Sequence, residues 1–143
     1  MKKISILFCL SICFGMARAQ CFFYIDNNQI TDNLARDGLL KASQFITRSP
    51  LSSDYIVKTE MNFQTGVNTL TLEINLQDTV TSQTVFQGKE TLAFGELRAN
   101  TRRMLNTVIR AFIDRNINQI ILSARENHFD DQSKWLRVRK DKT

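Results

Sequence analysis

Apolar and polar residues alternate most clearly between residues 55 and 76, and this period of two predicts two β-strands. The first strand is predicted at about residues 55 to 63 and the second at about residues 69 to 76. Gln64-Thr65-Gly66 between them is a short connection that contains glycine, so an antiparallel hairpin is the economical pairing. The apolar residues that share one predicted face are Tyr55, Val57, Met61, Phe63, Leu70, Leu72, Ile74 and Leu76.

Two further extended segments flank this hairpin. A third strand is predicted at about residues 83 to 92, with Gly88 as a candidate β-bulge, and three consecutive strands make a meander. Residues 21 to 25 are aromatic and β-branched and are followed by Asp26-Asn27-Asn28, which indicates another strand or an extended N-terminal segment.

Helical spacing of apolar residues predicts two helices. The first covers about residues 32 to 45, is capped by Thr31 or Asp32, carries Phe45 on its apolar stripe and stops before the loop at Pro50. The second covers about residues 96 to 115, and residues 116 to 123 fit either a strand or a further helix, with a loosely structured segment after them. The predicted fold class is α/β, an antiparallel or mixed sheet of four to five strands with two helices packed on one face. The apolar stripe of the second helix is Leu97, Thr101, Met104, Leu105, Val108 and Phe112.

The N-terminus has the organisation of a secretory signal. Lys2 and Lys3 precede an apolar run of about 13 residues, which is shorter than the roughly 20 residues that span a bilayer as a helix. The run ends in the small-x-small site Ala17-Arg18-Ala19. We therefore predict a cleaved signal peptide at residues 1–19, a single α/β domain at 20–133, a basic tail at 134–143 and a periplasmic or secreted location.

Cys21 raises the alternative of a lipid anchor, because it lies just after the apolar run. Gln20 stands directly ahead of it, where a lipoprotein signal has a small residue, so the cleaved signal is favoured over lipidation. Cys9 and Cys13 leave with the signal, and the mature chain then has one cysteine and no intramolecular disulfide.

Basic residues are concentrated at the C-terminus. Without the signal the chain has 16 basic and 14 acidic residues, and five of the basic residues lie in the last ten positions. A nucleic-acid-binding protein would spread a basic face over its fold, so no nucleic-acid partner is predicted. The tail fits either a solvated terminus or a contact with anionic lipid or an acidic partner.

Candidate chemistry is sparse. One histidine and one mature cysteine do not make a usual zinc site, and His128 with Asp130 and Asp131 fits an exposed loop better than a metal site. Glu60 and Glu73 could face one another on neighbouring strands, although a solvated sheet face is the ordinary explanation. We predict no catalytic residue, no cofactor and no metal, hence no enzyme. The candidate partner-binding residues are the arginines of the second helix, Arg98, Arg102, Arg103 and Arg110.

Three segments carry a resemblance to known envelope proteins. The strands Ser53–Glu60 (SDYIVKTE), Leu70–Asp78 (LTLEINLQD) and Thr81–Gly88 (TSQTVFQG), followed by a helix, resemble the N-terminal domain of TolB, and CsgG and LpoB have the same layout. The usual turn has glycine where this chain has Ser82, and no propeller or pore segment follows. The segment Asn116–Ser123 is similar to the end of the curli accessory protein CsgE. These resemblances imply a periplasmic accessory domain that works through protein contacts, and they transfer no catalytic residue.

The predicted function is therefore that of an exported, non-enzymatic envelope accessory protein that assists secretion or assembly at the outer membrane. Its partner would bind a sheet edge or the arginine-bearing helix. The alternative is a small secreted hydrolase or a glycan- or lipid-binding protein with a pocket between the sheet and the helices. A concave cavity there would favour the alternative, and a filled core would favour the partner-binding prediction.

Overall fold

The structure is a computed structural model that describes residues 20–93 and 101–140, with side chains for residues 20–93 and 103–128. The predicted signal peptide lies outside the described residues. In chain order the elements are β1 (Phe22–Ile25), α1 (Ile30–Lys41), β2 (Phe45–Ile46), a short 3-10 helix (Pro50–Ser52), β3 (Tyr55–Gln64), β4 (Thr69–Asp78), β5 (Thr84–Ala93) and α2 (Thr101–Lys140).

The five strands form one mixed sheet in the order β2-β1-β3-β4-β5. β1 pairs in parallel with β2 and β3, and α1 supplies the crossover that a parallel pair requires. β3, β4 and β5 pair antiparallel in sequence, which confirms the predicted hairpin and meander. The predicted α/β class with two helices on one face is also confirmed.

The core lies between the sheet and the two helices. Every second residue of β4 is buried, because its leucine and isoleucine side chains point toward the helices while its polar side chains take the other face. Met61, predicted to share the buried face of β3, is 41% exposed, whereas Thr59 on that face is buried. Fully buried large side chains include Phe23, Leu39, Tyr55, Leu72, Ile74, Leu76, Ile113 and Ile120.

The first helix begins earlier and ends earlier than the sequence predicts. Gln29, not Thr31 or Asp32, is the N-cap, and the Asp32 carboxylate accepts the Gln29 backbone N–H at 3.0 Å. Ser43 has a φ of 58°, a left-handed conformation that ends the helix. Phe45 consequently leaves the helix and pairs with Phe22 in the parallel strand β2.

The second helix is longer than predicted. Residues 116 to 123 are helical, so their strand alternative is wrong, and the segment expected to be loosely structured continues the helix to Lys140. The reason is that Ile113, Ile117, Ile120 and Ala124 recur at helical spacing and are all buried against the sheet and α1. His128 lies in this helix and is half-buried, so its predicted loop placement is also wrong.

Candidate partner-binding edge

β5 is the long edge strand of the sheet. In the part of the chain that the structure describes, no strand pairs with its outer side, and none of its ten residues is buried. The opposite edge is the two-residue strand β2. Backbone N–H and C=O groups along an open edge can accept an added strand, and β5 offers a much longer row of them than β2.

A groove runs beside this edge, between β5 and α2. It has a volume of about 510 Å³. Phe86 and Glu90 line it from the strand, and Phe112, Arg115 and Gln119 line it from the helix. Two phenyl rings and three polar side chains therefore flank a volume that can hold several side chains of a bound polypeptide.

One ion pair crosses the groove. Arg115 Nη2 donates to Glu90 Oε2 at 2.6 Å, and the two side chains are 64% and 33% exposed. An ion pair of this exposure contributes about 0–1 kcal/mol to folding, because water screens it. The pair therefore adds little stability, and its guanidinium and carboxylate lie where a partner can reach them.

Gly88 is the point of closest approach between β5 and α2. A Cβ atom at this position would lie 2.2 Å from Asn116 Oδ1 and 3.2 Å from Ile74 Cγ2. Gly88 pairs regularly with Ile74, so the predicted bulge at Gly88 is wrong, and the register shift lies instead at Leu76/Gln77. Glycine in a strand indicates either a bulge or a close approach, and here α2 requires the close approach.

A buried hydrogen-bond cluster fixes α2 at the far end of the sheet. Tyr55 Oη donates to the Ala124 carbonyl at 3.0 Å and accepts from Asn127 Nδ2 at 3.0 Å. Asn127 Nδ2 also donates to Asp78 Oδ2 at 2.9 Å. Because buried polar groups are costly to leave unpaired, this cluster fixes the helix over the sheet and so positions its groove-lining side chains.

The candidate arginines whose side chains the structure describes lie apart from the groove. Arg103 and Arg110 are exposed on α2 and do not line the groove. Arg98 and the side chain of Arg102 lie outside what the structure describes. Arg115, which does line the groove, was missed because the predicted helix ended at that residue and β5 could not be placed beside it.

Cys21 is a core residue and is 2% exposed. Burial, followed by the nearby Asp54 carboxylate, raises the pKa of its thiol to about 11. The thiol is therefore protonated at neutral pH and is a poor nucleophile. Attachment of a lipid to its sulfur would require the side chain to leave the core.

Other candidate sites find little support in the described part of the chain. There, no group of three or more His, Cys, Asp and Glu residues is placed to hold a metal ion. No helix within the same residues is long and apolar enough to cross a membrane. Glu60 and Glu73 are directly opposite in the β3–β4 register, as predicted, on the face away from the helices. Apart from the groove between β5 and α2, the space between the sheet and the helices is filled by buried side chains such as Tyr55 and Ile120.

Comparisons with known proteins place the chain in no family. No known family matches its sequence, and no curated protein matches it. Its fold is similar to that of several solved bacterial proteins, among them lipoproteins. A lipoprotein from Neisseria meningitidis is 11% identical, with 64% of this chain and 94% of that chain covered and a TM-score of 0.40. Rare lipoprotein B from Shewanella oneidensis is also 11% identical, with 79% and 98% covered and a TM-score of 0.44. A PelC dodecamer from Paraburkholderia phytofirmans is 13% identical, with 76% and 88% covered and a TM-score of 0.45. Similarity this low assigns the chain to none of these families, and the resemblance to TolB and CsgG stays a prediction.

Proposed function

We propose that this protein is an exported, non-enzymatic accessory protein of the cell envelope that binds a protein partner along β5. The observation that carries the proposal is the open ten-residue edge strand next to a groove. Adding a strand to an exposed sheet edge is a recurrent way to bind an extended polypeptide, because the backbone supplies affinity and alternate side chains supply specificity.

The two faces of β5 determine what an added strand would contact. Side chains on one face of that strand would enter the groove beside Phe86, Glu90 and Arg115. Side chains on its other face would lie beside Gln87 and Lys89. A partner segment that alternates apolar or charged residues with polar ones fits this surface best.

In-cell photo-crosslinking tests the proposal. A photo-reactive amino acid replaces Lys89 on β5 or, as a matched control, Lys58 on the interior strand β3, in a C-terminally tagged chain. Both lysines are exposed on the same sheet face. We expect one envelope or secretion protein to be crosslinked from position 89 and not from position 58. Equal crosslinking from both positions, or none from position 89, would contradict the proposal.

The arginines of the second helix and the basic tail form a second proposed contact. Arg103 and Arg110 are seven residues apart on an exposed helix surface, and α2 remains helical to Lys140. Arg98, Arg102, Arg103 and Arg110 would attract an acidic partner, and the tail would attract anionic lipid, so charge on either would raise the association rate at low salt. Replacing Arg103 and Arg110 with glutamine should reduce partner capture at low salt. Unchanged capture of the partner would show that these helix arginines do not contact it.

A further inference from the structure

The sheet face opposite the helices is a broad polar surface, which we call the open face. Among the described residues, no helix packs on it. The register places Lys58, Asn75 and Gln87 side by side across β3, β4 and β5. The next row is Glu60, Glu73 and Lys89, and the two rows after that are uncharged, made of Asn62, Thr71 and Thr91 and then Gln64, Thr69 and Ala93.

Glu73 orients the two amides at the centre of this face. Asn75 Nδ2 donates to Glu73 Oε1 at 2.9 Å, and Gln87 Nε2 donates to the same oxygen at 2.7 Å. These hydrogen bonds, with a smaller effect of Lys89, lower the pKa of the Glu73 carboxyl. An ionised carboxylate only accepts, so it holds both NH₂ groups toward itself and turns the two amide carbonyl oxygens away.

The two amide side chains differ in exposure. Asn75 Oδ1 is buried and has no hydrogen-bond partner within the described residues. Because this oxygen has no accessible surface, the amide oxygen that a ligand on this face meets is that of the exposed Gln87 side chain. The Lys58 and Lys89 ammonium groups beside the two amides can donate in return to oxygen atoms of the same ligand.

Charge on the open face excludes a strongly ionic ligand. Lys58 and Lys89 are balanced by Glu60 and Glu73, and Lys89 Nζ lies 3.8 Å from Glu73 Oε2. The remaining side chains of the three strands on this face are amides, hydroxyls, one alanine and one isoleucine. A neutral ligand with many hydroxyl groups is complementary to such a surface, whereas a polyanion or polycation meets as much repulsion as attraction.

An aromatic pair lies at the other side of the same face. Phe22 and Phe45 are 41% and 46% exposed, and their ring centroids are 5.6 Å apart. Phe23 points into the core, so Phe22 and its register partner Phe45 point to the open face. Exposed phenyl rings can pack against the apolar C–H face of a sugar ring, beside polar groups that orient its hydroxyls.

We propose that the open face binds a neutral polysaccharide. One sugar hydroxyl donates to the carbonyl oxygen of Gln87 and others accept from the neighbouring lysines, while a sugar ring packs on Phe22 and Phe45. This site includes Gln87 and Lys89, which an added strand would also neighbour, but it lies on the sheet face and not on the backbone edge of β5, so it does not depend on the proposed protein partner.

Native affinity electrophoresis of the mature chain tests this site. Gels contain one of two neutral polysaccharides, dextran or hydroxyethyl cellulose, or a charged one, alginate or chitosan. We expect at least one neutral polysaccharide to retard the wild-type protein. Gln87→Ala should raise the apparent dissociation constant at least about threefold, and Phe22→Ala combined with Phe45→Ala at least about tenfold. Asn118→Ala, an exposed amide of α2 outside the groove, is the matched control and should bind as the wild type does.

Three results would overturn the proposal. The first is that neither neutral polysaccharide retards the wild type, and the second is that only alginate or chitosan retards it. The third is that the open-face variants bind as tightly as the control. If the alanine variants fail to fold, Lys58→Gln replaces them, because it changes an exposed side chain of the same row. This variant should weaken retardation at least about threefold, since it removes the charge from one donor, and unchanged retardation would again contradict the site.

Discussion

Replacing Gly88 with alanine tests the placement of α2 against the edge strand. The new Cβ atom would lie 2.2 Å from Asn116 Oδ1 and 2.8 Å from its Cγ, so Asn116 must move. Asn116 Nδ2 donates to the Phe112 carbonyl at 2.8 Å, and the movement strains or breaks this hydrogen bond.

The cost can be worked from these contacts. Overpacking of this kind costs about 1–3 kcal/mol, and loss of the hydrogen bond adds about 1 kcal/mol. Alanine recovers about 0.5–1 kcal/mol relative to glycine within a strand. The expected net loss of unfolding free energy for Gly88→Ala is therefore about 1–3.5 kcal/mol.

A double-mutant cycle isolates the contact. Urea denaturation of the mature chain, followed by circular dichroism, gives the free energy of unfolding for the wild type, Gly88→Ala, Asn116→Ala and the double variant. In the Asn116→Ala background the change at Gly88 should cost much less, because the colliding amide is gone and the 3.2 Å contact with Ile74 Cγ2 remains. The reasoning is refuted if Gly88→Ala is as stable as the wild type, or if Asn116→Ala does not relieve its cost.

Four more predictions concern the Tyr55 cluster, the burial of Cys21 and the ion pair of Arg115. Tyr55→Phe should lower the unfolding free energy by about 1–3 kcal/mol in urea denaturation, since it removes the hydroxyl that joins the sheet to α2, and an unchanged midpoint would contradict the cluster. Cys21 should react with a thiol reagent at pH 8 only after unfolding, and fast reaction of the folded chain would disprove its burial. The folded state raises this thiol pKa from 9.0 to about 11. The stability that the protonated thiol contributes should therefore be complete below pH 9 and decline as the pH rises toward 11. A pH series of urea titrations of the wild type and of Cys21→Ser measures this decline. Arg115→Ala should change stability by less than about 1 kcal/mol, and a larger loss would show that the pair with Glu90 is not screened as its exposure implies.

The central strands could be predicted because their local pattern and their burial agree. β4 has nearly perfect alternation in sequence, and the structure buries its apolar side. β2 could not be predicted, because it has only two residues and Phe45 fits the apolar stripe of the preceding helix. The continuation of α2 past residue 115 was ambiguous, since a short run such as Ile117 to Leu122 fits either period until its tertiary contacts are known.

The candidate site was harder to predict from the sequence than the fold, for a physical reason. A sheet edge could be predicted as a binding route, but strand order decides which strand is at the edge, and the parallel pairs around β1 give no local sequence signal. The contacts of Gly88 with Asn116 and of Glu90 with Arg115 join residues more than 20 positions apart. Only the tertiary arrangement of β5 and α2 brings these residues together.

Residue-resolved amide hydrogen exchange along β5 tests the central claim most directly. In the free mature protein, every second amide of β5 should exchange fast, because its N–H points away from β4, while the other amides of β5 are protected. Adding the partner identified by crosslinking from position 89 should protect the fast set and leave the rest unchanged. Protection of all β5 amides in the free protein, or no new protection on binding, would contradict strand addition at this edge.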